Sequence, residues 1–205
     1  TFVTIFFILG GKDMRLLLAS TSKFKSDIFN KVHLKHTNIK TSYVEEEKRN
    51  ENVYEYVMDL ALGKAKNTIK LDDSIVIGLD TVVYIDNEII EKPKNKEEVR
   101  FNLRRASGKE ISVITGICLI NNQNGEIIRD YQETKISFNE IVEDDIEYYL
   151  ANEPDLMYVS GFVIETIISN FINKIEGSFY NILGAPVEKI YFYLKKWGIH
   201  LKDLI

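Results

Sequence analysis

The sequence predicts an α/β fold: one mixed, twisted β-sheet flanked by helices, pinched into two lobes around a hairpin near Asp80. Three observations carry this. Short apolar runs rich in Val and Ile alternate along the chain with segments whose apolar residues recur at helical spacing. An Asn124-Gly125 pair joins two long strand-like segments, a strong antiparallel hairpin signal, so the sheet is mixed rather than purely parallel. No internal repeat, low-complexity tract or Ser/Pro-rich linker divides the 205 residues, a length that suits one domain or two small lobes.

The net charge of −5 argues against a broad nucleic-acid or anionic-membrane surface and favours a small-molecule partner, which a local basic pocket could still hold if it were phosphorylated. The single Cys118 lies in the apolar run Ile117-Cys118-Leu119-Ile120 and reads as a buried spacer, not a nucleophile. One cysteine excludes a disulfide framework and suits a reducing cytoplasm. The apolar run Phe2 to Leu9 is too short to span a bilayer and has no basic residue before it, so it reads neither as an anchor nor as a signal peptide. Leu9-Gly10-Gly11 ahead of Lys12-Asp13-Met14 is what a purine-rich ribosome-binding site before an ATG would decode to. The expectation is a chain that starts at Met14, with 1–13 an extension outside a domain covering 14–205.

Arg15 to Ala19 reads as a short buried strand, and Ser22 can cap a helix through about Val32 whose apolar face is Phe24, Ile28, Phe29 and Val32. A strand, a Ser-Thr-Ser turn and a helix start make an anion site: free backbone amides with Ser20 and Ser22, and with Lys23 and Lys25 close by, suit phosphate oxygens. Serine at a helix start is also ordinary capping. Ile39 to Val44 reads as a second strand running into Glu45-Glu46-Glu47, a solvated acidic run or, directly after a strand, carboxylates for Mg²⁺. Asn52 to about Leu71 is helical, with Lys64 on or beside its apolar face, where it must snorkel or reach an anion.

Ser74 to Pro93 is the stretch around which the rest is organised. Ile75, Val76, Ile77 and Leu79 form a nearly continuous apolar run typical of a strand buried on both faces, and Asp80 sits where that run ends. Asp86-Asn87 is turn chemistry, and Glu88-Ile89-Ile90 returns as a hairpin arm leading to Lys92. An acid ending a buried strand, with a lysine delivered by the next hairpin, suits a metal and an anionic substrate; the commoner alternative is a turn-capping Asp and a solvated Lys.

Asn95 with Glu98 opens a helix through about Ala106, and Glu110 to Asn121 and Glu126 to Phe138 are the two hairpin strands. Asp144 to Ala151 reads as a short helix, broken by Glu153-Pro154-Asp155. Tyr158 to Val163 and Ile167 to Ile175 read as strands with Glu165 between them. Gly177 to Pro186 is a loop with at most a helical turn, and Pro186 starts a last helix ending near Trp197-Gly198.

Taken together, seven segments resemble the Maf-like nucleoside triphosphate pyrophosphatases over Leu16 to Trp197. They are LLLASTSKFK, VEE at 44–46, LALGKA at 60–65, GLDTVV at 78–83, EKP at 91–93, SGKEISVITG at 107–116 and EGSFYNILGAP at 176–186. The resemblance implies a single Maf-like, ITPase-like domain with a nucleotide cleft between two lobes. It also implies hydrolysis of a nucleoside triphosphate between its α and β phosphates with a divalent cation, Mg²⁺ or Mn²⁺. By the same resemblance Asp80 positions or deprotonates water and, with Glu45 and Glu46, holds the metal; Lys92, Lys64 and Lys25 hold the triphosphate, over Ser20 and Ser22. It further implies a homodimer, and no nucleic-acid or membrane partner. A catalytically weak nucleotide-binding regulator of septum formation is the competing reading.

Four positions depart from the family pattern: Lys23 for Pro, Lys25 for Arg, Glu91 for Gly and Thr166 for Gly. The base markers are mixed. One branch of the family resembles thymidine and uridine triphosphate hydrolases and pairs Arg at position 24 with Asp-Thr and Gln; the other, acting on 7-methyl-GTP and similar nucleotides, has Trp, Asp-Gln and Glu. Here Thr81 matches the first, whereas Phe24 and Glu165 approach the second. An aromatic ring with a carboxylate favours a modified purine or a cytidine-type substrate; Phe24 equally reads as core of its helix.

Overall fold

The computed structural model describes residues 14–44, 52–68, 71–157 and 160–205. Its chain order is β1 (Arg15–Leu18), α1 (Lys23–Lys31), β2 (Thr37–Asn38), α2 (Val53–Lys66), β3 (Ser74–Ile85), β4 (Glu88–Ile90), α3 (Lys96–Ala106), β5 (Glu110–Asn121), β6 (Ile127–Phe138), α4 (Glu143–Asn152), β7 (Ile172–Glu176), α5 (Phe179–Ile182) and α6 (Val187–Lys196). The strands form one mixed sheet in the order β2-β1-β3-β5-β6-β7, with β4 paired to β3. β1 runs parallel to β2 and β3, and the other pairings are antiparallel.

β3 is the spine, and its two faces do different work. Alternate residues Val76, Gly78, Asp80, Val82 and Tyr84 face α2, because strand side chains alternate. α2 lies so close that a Cβ at Gly78 would meet the Ala61 carbonyl oxygen and one at Gly116 would meet that of Val57. Val76 packs there with Leu17, Ala61, Ala65 and Cys118, and Val82 with Val57 and Ile114. The opposite face carries two separate clusters. Ile75, Ile77 and Leu79 pack with α1 and α6 through Ile28, Phe29, Ile190 and Leu194, while Ile85 packs with α3 and α4 through Val99, Leu103, Ile146 and Tyr149. Thr81 falls between them, so the expected two lobes part along one face of a single strand. Each buried Ile or Leu contributes about 1.5–3 kcal/mol, enough for either lobe to hold its own helices.

The edge of β3 is also divided. β1 pairs with Ser74 to Ile77 and β4 with Val83 to Ile85, so among the described residues no strand covers the stretch between. The gap exists because β1 turns into α1 after Leu18 and because Asp86 and Asn87, both at positive φ, turn the chain back at once.

Several expected boundaries move. No strand forms over Ile39 to Val44, and β2 lies just before it at Thr37–Asn38; the segment after β2 spends its hydrogen bonds on the end of α2, with the Ser42 amide donating to the Asn67 carbonyl at 3.0 Å. The helix expected to reach Leu71 stops at Lys66. No strand forms at Ser160 to Val163: Ser160 and Gly161 take positive φ, and the Tyr149 hydroxyl donates to the Gly161 carbonyl at 3.1 Å and accepts from the Val163 amide at 2.9 Å. Tyr158 and Val159 lie outside the described residues. Ile167–Phe171 is a 3-10 helix before β7, and Pro186 precedes α6 as its N-cap. The expected extension 1–13 also lies outside the described residues, while Met14 is buried and its amide donates to the Asp203 carbonyl at 2.8 Å.

α6 is fastened to β6 by Asp130, which accepts from Lys189 at 2.7 Å and from the Tyr193 hydroxyl. Burial opposes the charge on Asp130, but the Lys189 and Tyr193 bonds outweigh it and hold the carboxyl below its ordinary value. A carboxyl depressed in the folded state adds stability above its unfolded value near pH 4 and loses it as pH falls further. Asp130→Asn therefore lowers the melting temperature at pH 7, and the deficit shrinks toward pH 3, as thermal denaturation across that range will read. Gly116→Ala, which drives a methyl into the α2 backbone, costs about 3 kcal/mol in urea unfolding.

Candidate active site

Asp80 and Lys64 meet on the α2 face. The carboxylate, 8 % exposed, projects from β3 opposite Gly116, and the Lys64 ammonium pairs with its Oδ1. This pairing is a direct result of the two glycines: with Ala61 seated on Gly78, a lysine in the last turn of α2 spans the remaining distance to β3. Both partners are largely withdrawn from water, so each depends on the other for charge compensation.

The first turn of α1 approaches the same stretch of β3 from the other face. Lys25 Nζ donates to the Leu79 carbonyl at 3.1 Å, at the edge where no described strand pairs. Ser22 occupies the N-cap position but its hydroxyl makes no cap bond; its amide instead donates to the Ser20 hydroxyl at 3.1 Å. First-turn amides have no intrahelical acceptor, so this end of α1 suits an anion. Phe24 is 45 % exposed, whereas Ile28 and Phe29 carry the packing of α1, so the reading of Phe24 as core is corrected.

Thr81 stands beside Asp80 and points to the opposite face, its Oγ1 3.0 Å from that of Thr115 on β5. Above it lies Gly184 at φ +80, where a Cβ would sit 3.0 Å from Thr81 Oγ1 and 3.2 Å from Lys25 Cε. Gly184 is held there by Asn181, fully buried, whose Nδ2 donates to the Val113 carbonyl at 2.9 Å and to Thr134 Oγ1 at 3.0 Å. Thr115, Asn181 and Gly184 were not singled out from the sequence, although all three lie in stretches that carry the resemblance. Their contribution is positional, and only the pairing of β5 with β3 and the seating of α5 reveal it.

Asp80, Lys64, Thr81, Lys25, Ser20 and Ser22 thus gather around the open stretch of β3. Lys92 is exposed two residues past the end of β4 and forms no ion pair among the described residues. Glu165 is exposed on the turn before Ile167. Glu91 borders a shallow hollow of about 210 Å³ with Phe101 and Arg105 on the α3 side of the sheet, whereas Lys64 and Asp80 lie on the α2 side. Glu45 and Glu46 lie outside the described residues.

Among the described residues no group of three acidic, histidine or cysteine side chains forms a ready-made metal site. A Mg²⁺ or Mn²⁺ needs less, since such ions are commonly held by one or two carboxylates with substrate phosphates and water completing the shell. Asp80 offers one carboxylate. The Tyr43 ring lies against Gly63, next to Lys64 on α2. The donor set fits a divalent cation.

Residues 15–197 match the family described as Maf-like protein. The chain belongs to that family. Among its relatives, a dTTP/UTP pyrophosphatase of Clostridium tetani is 33% identical over 92% of this chain and 100% of its own length. Another of that name, from Pyrococcus abyssi, is 32% identical over 88% of this chain and 95% of its own length. The fold of this Maf-like chain is shared with a HAM1 protein from Coxiella burnetii, 15% identical, with a TM-score of 0.53 over 89% of this chain and 99% of that one.

Cys118 takes no part in the site. It is fully buried against α2, and burial pushes its thiol up to about 12. At pH 8 it will resist alkylation in the folded protein and react fully once urea unfolds the chain, as mass spectrometry of both states will show.

Proposed function

We infer that this Maf-like protein is a nucleoside triphosphate pyrophosphatase, hydrolysing a (d)NTP to the (d)NMP and pyrophosphate. The observation that carries this reading is the withdrawn Lys64 and Asp80 pair at the open stretch of β3, with a lysine and a helix N-terminus approaching from the other face. A triphosphate brings about four negative charges, so its site needs several cations, and Lys64, Lys25 and Lys92 supply them with the first-turn amides of α1 and the Ser20 and Ser22 hydroxyls. Asp80 orients a water and takes its proton as the water oxygen bonds the α-phosphorus. The bond from that phosphorus to the bridging oxygen breaks, and pyrophosphate leaves with the electron pair. Asp80, with Glu45 and Glu46, would hold a Mg²⁺ or Mn²⁺, which would supply charge neutralisation and polarisation of the phosphoryl oxygens.

The relatives' names support uridine and thymidine triphosphates as substrates, in line with Asp80-Thr81 and against the modified purine suggested by Phe24 and Glu165. Removal of unwanted nucleotides from a cytoplasmic pool is the role this activity would serve. No described helix is long and apolar enough to cross a membrane. A weak nucleotide-binding regulator of septum formation would not need an acid at position 80, and the ion-paired Asp80 therefore favours the enzyme.

Asp80→Asn removes the base with little change of shape, so pyrophosphate release from UTP and dTTP in Mg²⁺ falls about 1,000-fold while calorimetric nucleotide binding persists. Lys64→Ala weakens binding as well as turnover. Undiminished turnover in Asp80→Asn would overturn the reading.

A further inference from the structure

The Thr81 and Thr115 hydroxyls are each other's hydrogen-bond partner at 3.0 Å, and either could donate. Their surroundings decide which does. Thr115 is completely buried, and Thr81 Oγ1 is the one acceptor its proton reaches among the described residues. A buried hydroxyl that left its proton unbonded would forfeit its hydration without replacement, so Thr115 donates and Thr81 accepts. Thr81 is half-buried, and its own proton is then directed away from Thr115. Gly184 lies against Thr81, and a Cβ there would stand 3.0 Å from Thr81 Oγ1. The neighbouring group there is Lys25, a cation that cannot accept, and Lys25 already donates to the Leu79 carbonyl.

We propose that Thr115 is a positioning residue that fixes Thr81 as a hydrogen-bond donor toward an oxygen of the bound nucleotide. The proposal rests on the pyrophosphatase reading. The oxygen belongs either to the base, where uracil and thymine carry a carbonyl at C4 and cytosine an amino group, or to a phosphate, which every nucleoside triphosphate shares. With Thr115 donating, one of the two acceptor positions on Thr81 Oγ1 is taken and its proton is turned away from Thr115, so a carbonyl at that place is favoured over an amino group. Without Thr115, the Thr81 hydroxyl turns freely and serves donor and acceptor alike.

The test is a double-mutant cycle of Thr115→Val and Thr81→Val, with Thr115→Ser as the conservative variant, assayed on UTP, dTTP and CTP beside thermal melting. Thr115→Val keeps the branched shape and removes the hydroxyl. The expected result is a fall of about 10-fold in kcat/KM for UTP, the worth of one hydrogen bond, with recovery in Thr115→Ser and no further fall when Thr115→Val is added to Thr81→Val. A fall confined to UTP and dTTP supports the proposal and assigns the oxygen to the base; an equal fall on CTP supports it and assigns a phosphate oxygen. Unchanged kcat/KM in Thr115→Val overturns it, as does an equal loss in the Thr81→Val background, which would mark a packing role. Calorimetric affinity for a non-hydrolysable UTP analogue reads the same cycle without turnover. A protein that binds but does not hydrolyse thus fails the pyrophosphatase reading and still decides this one.

Discussion

The close approach of α2 to the sheet is the constraint on which the rest depends. Backbone packs on backbone over Gly78 and Gly116, at a separation that no side chain on either strand would permit. The residues of α2 that touch the sheet between those glycines are small, Ala61 and Ala65, and the clusters they join are modest beside those on the other face. The helix is therefore placed by steric fit more than by apolar area. That placement brings Lys64 to Asp80. A charge pair so nearly withdrawn from water is not a cheap source of stability, since desolvation consumes most of what the attraction returns. Under the proposed function the pair serves the substrate more than the fold, with Lys64 the cation that would meet an anionic group.

The same strand also decides where the site can be. β3 is long enough to serve both lobes, but its neighbours on one edge are short, and the interval between them leaves strand backbone that no described strand covers. Lys25 takes the Leu79 carbonyl there. On the face above, the two large clusters fail to meet, and the polar pair Thr81 and Thr115 fills the seam between them. Edge, face and seam coincide within a few residues of Asp80. The uncovered edge and the polar seam at this point follow from strand length and cluster boundaries, before any catalytic requirement is imposed.

How much of this was legible in the sequence varies with the kind of signal. β3, β5 and β6 were readable because apolar runs and an Asn-Gly turn report directly on buried strands and hairpins. Asp80 was readable as the polar residue that ends such a run. The segment after β2 and Ser160 to Val163 misled for one reason: β-branched and aromatic residues suit strands, yet here their backbone groups are satisfied by the end of α2 and by the Tyr149 hydroxyl. Propensity does not reveal which partner wins. Thr115 and Asn181 were hidden for another reason, since a buried threonine and a buried asparagine look ordinary until strand register and the seat of α5 show what they hold.

Two of the departures from the family pattern, Lys25 and Thr166, are accommodated by contacts of their own. A lysine at position 25 lacks the fork of an arginine, but its compact ammonium carries three donors and gives one to the Leu79 backbone carbonyl. It also passes close to Gly184, where a bulkier planar group would crowd the space beside Thr81. Thr166 adopts φ −126, which makes no demand for glycine, and its hydroxyl bonds the buried Glu153 carboxylate at 2.5 Å. The second oxygen of Glu153 accepts from the Asp155 amide at 3.1 Å. A glycine there would leave that carboxylate short of a partner in a poorly hydrated place, so Thr166 and Glu153 are best understood as a matched pair that ties the end of α4 to the turn bearing Glu165.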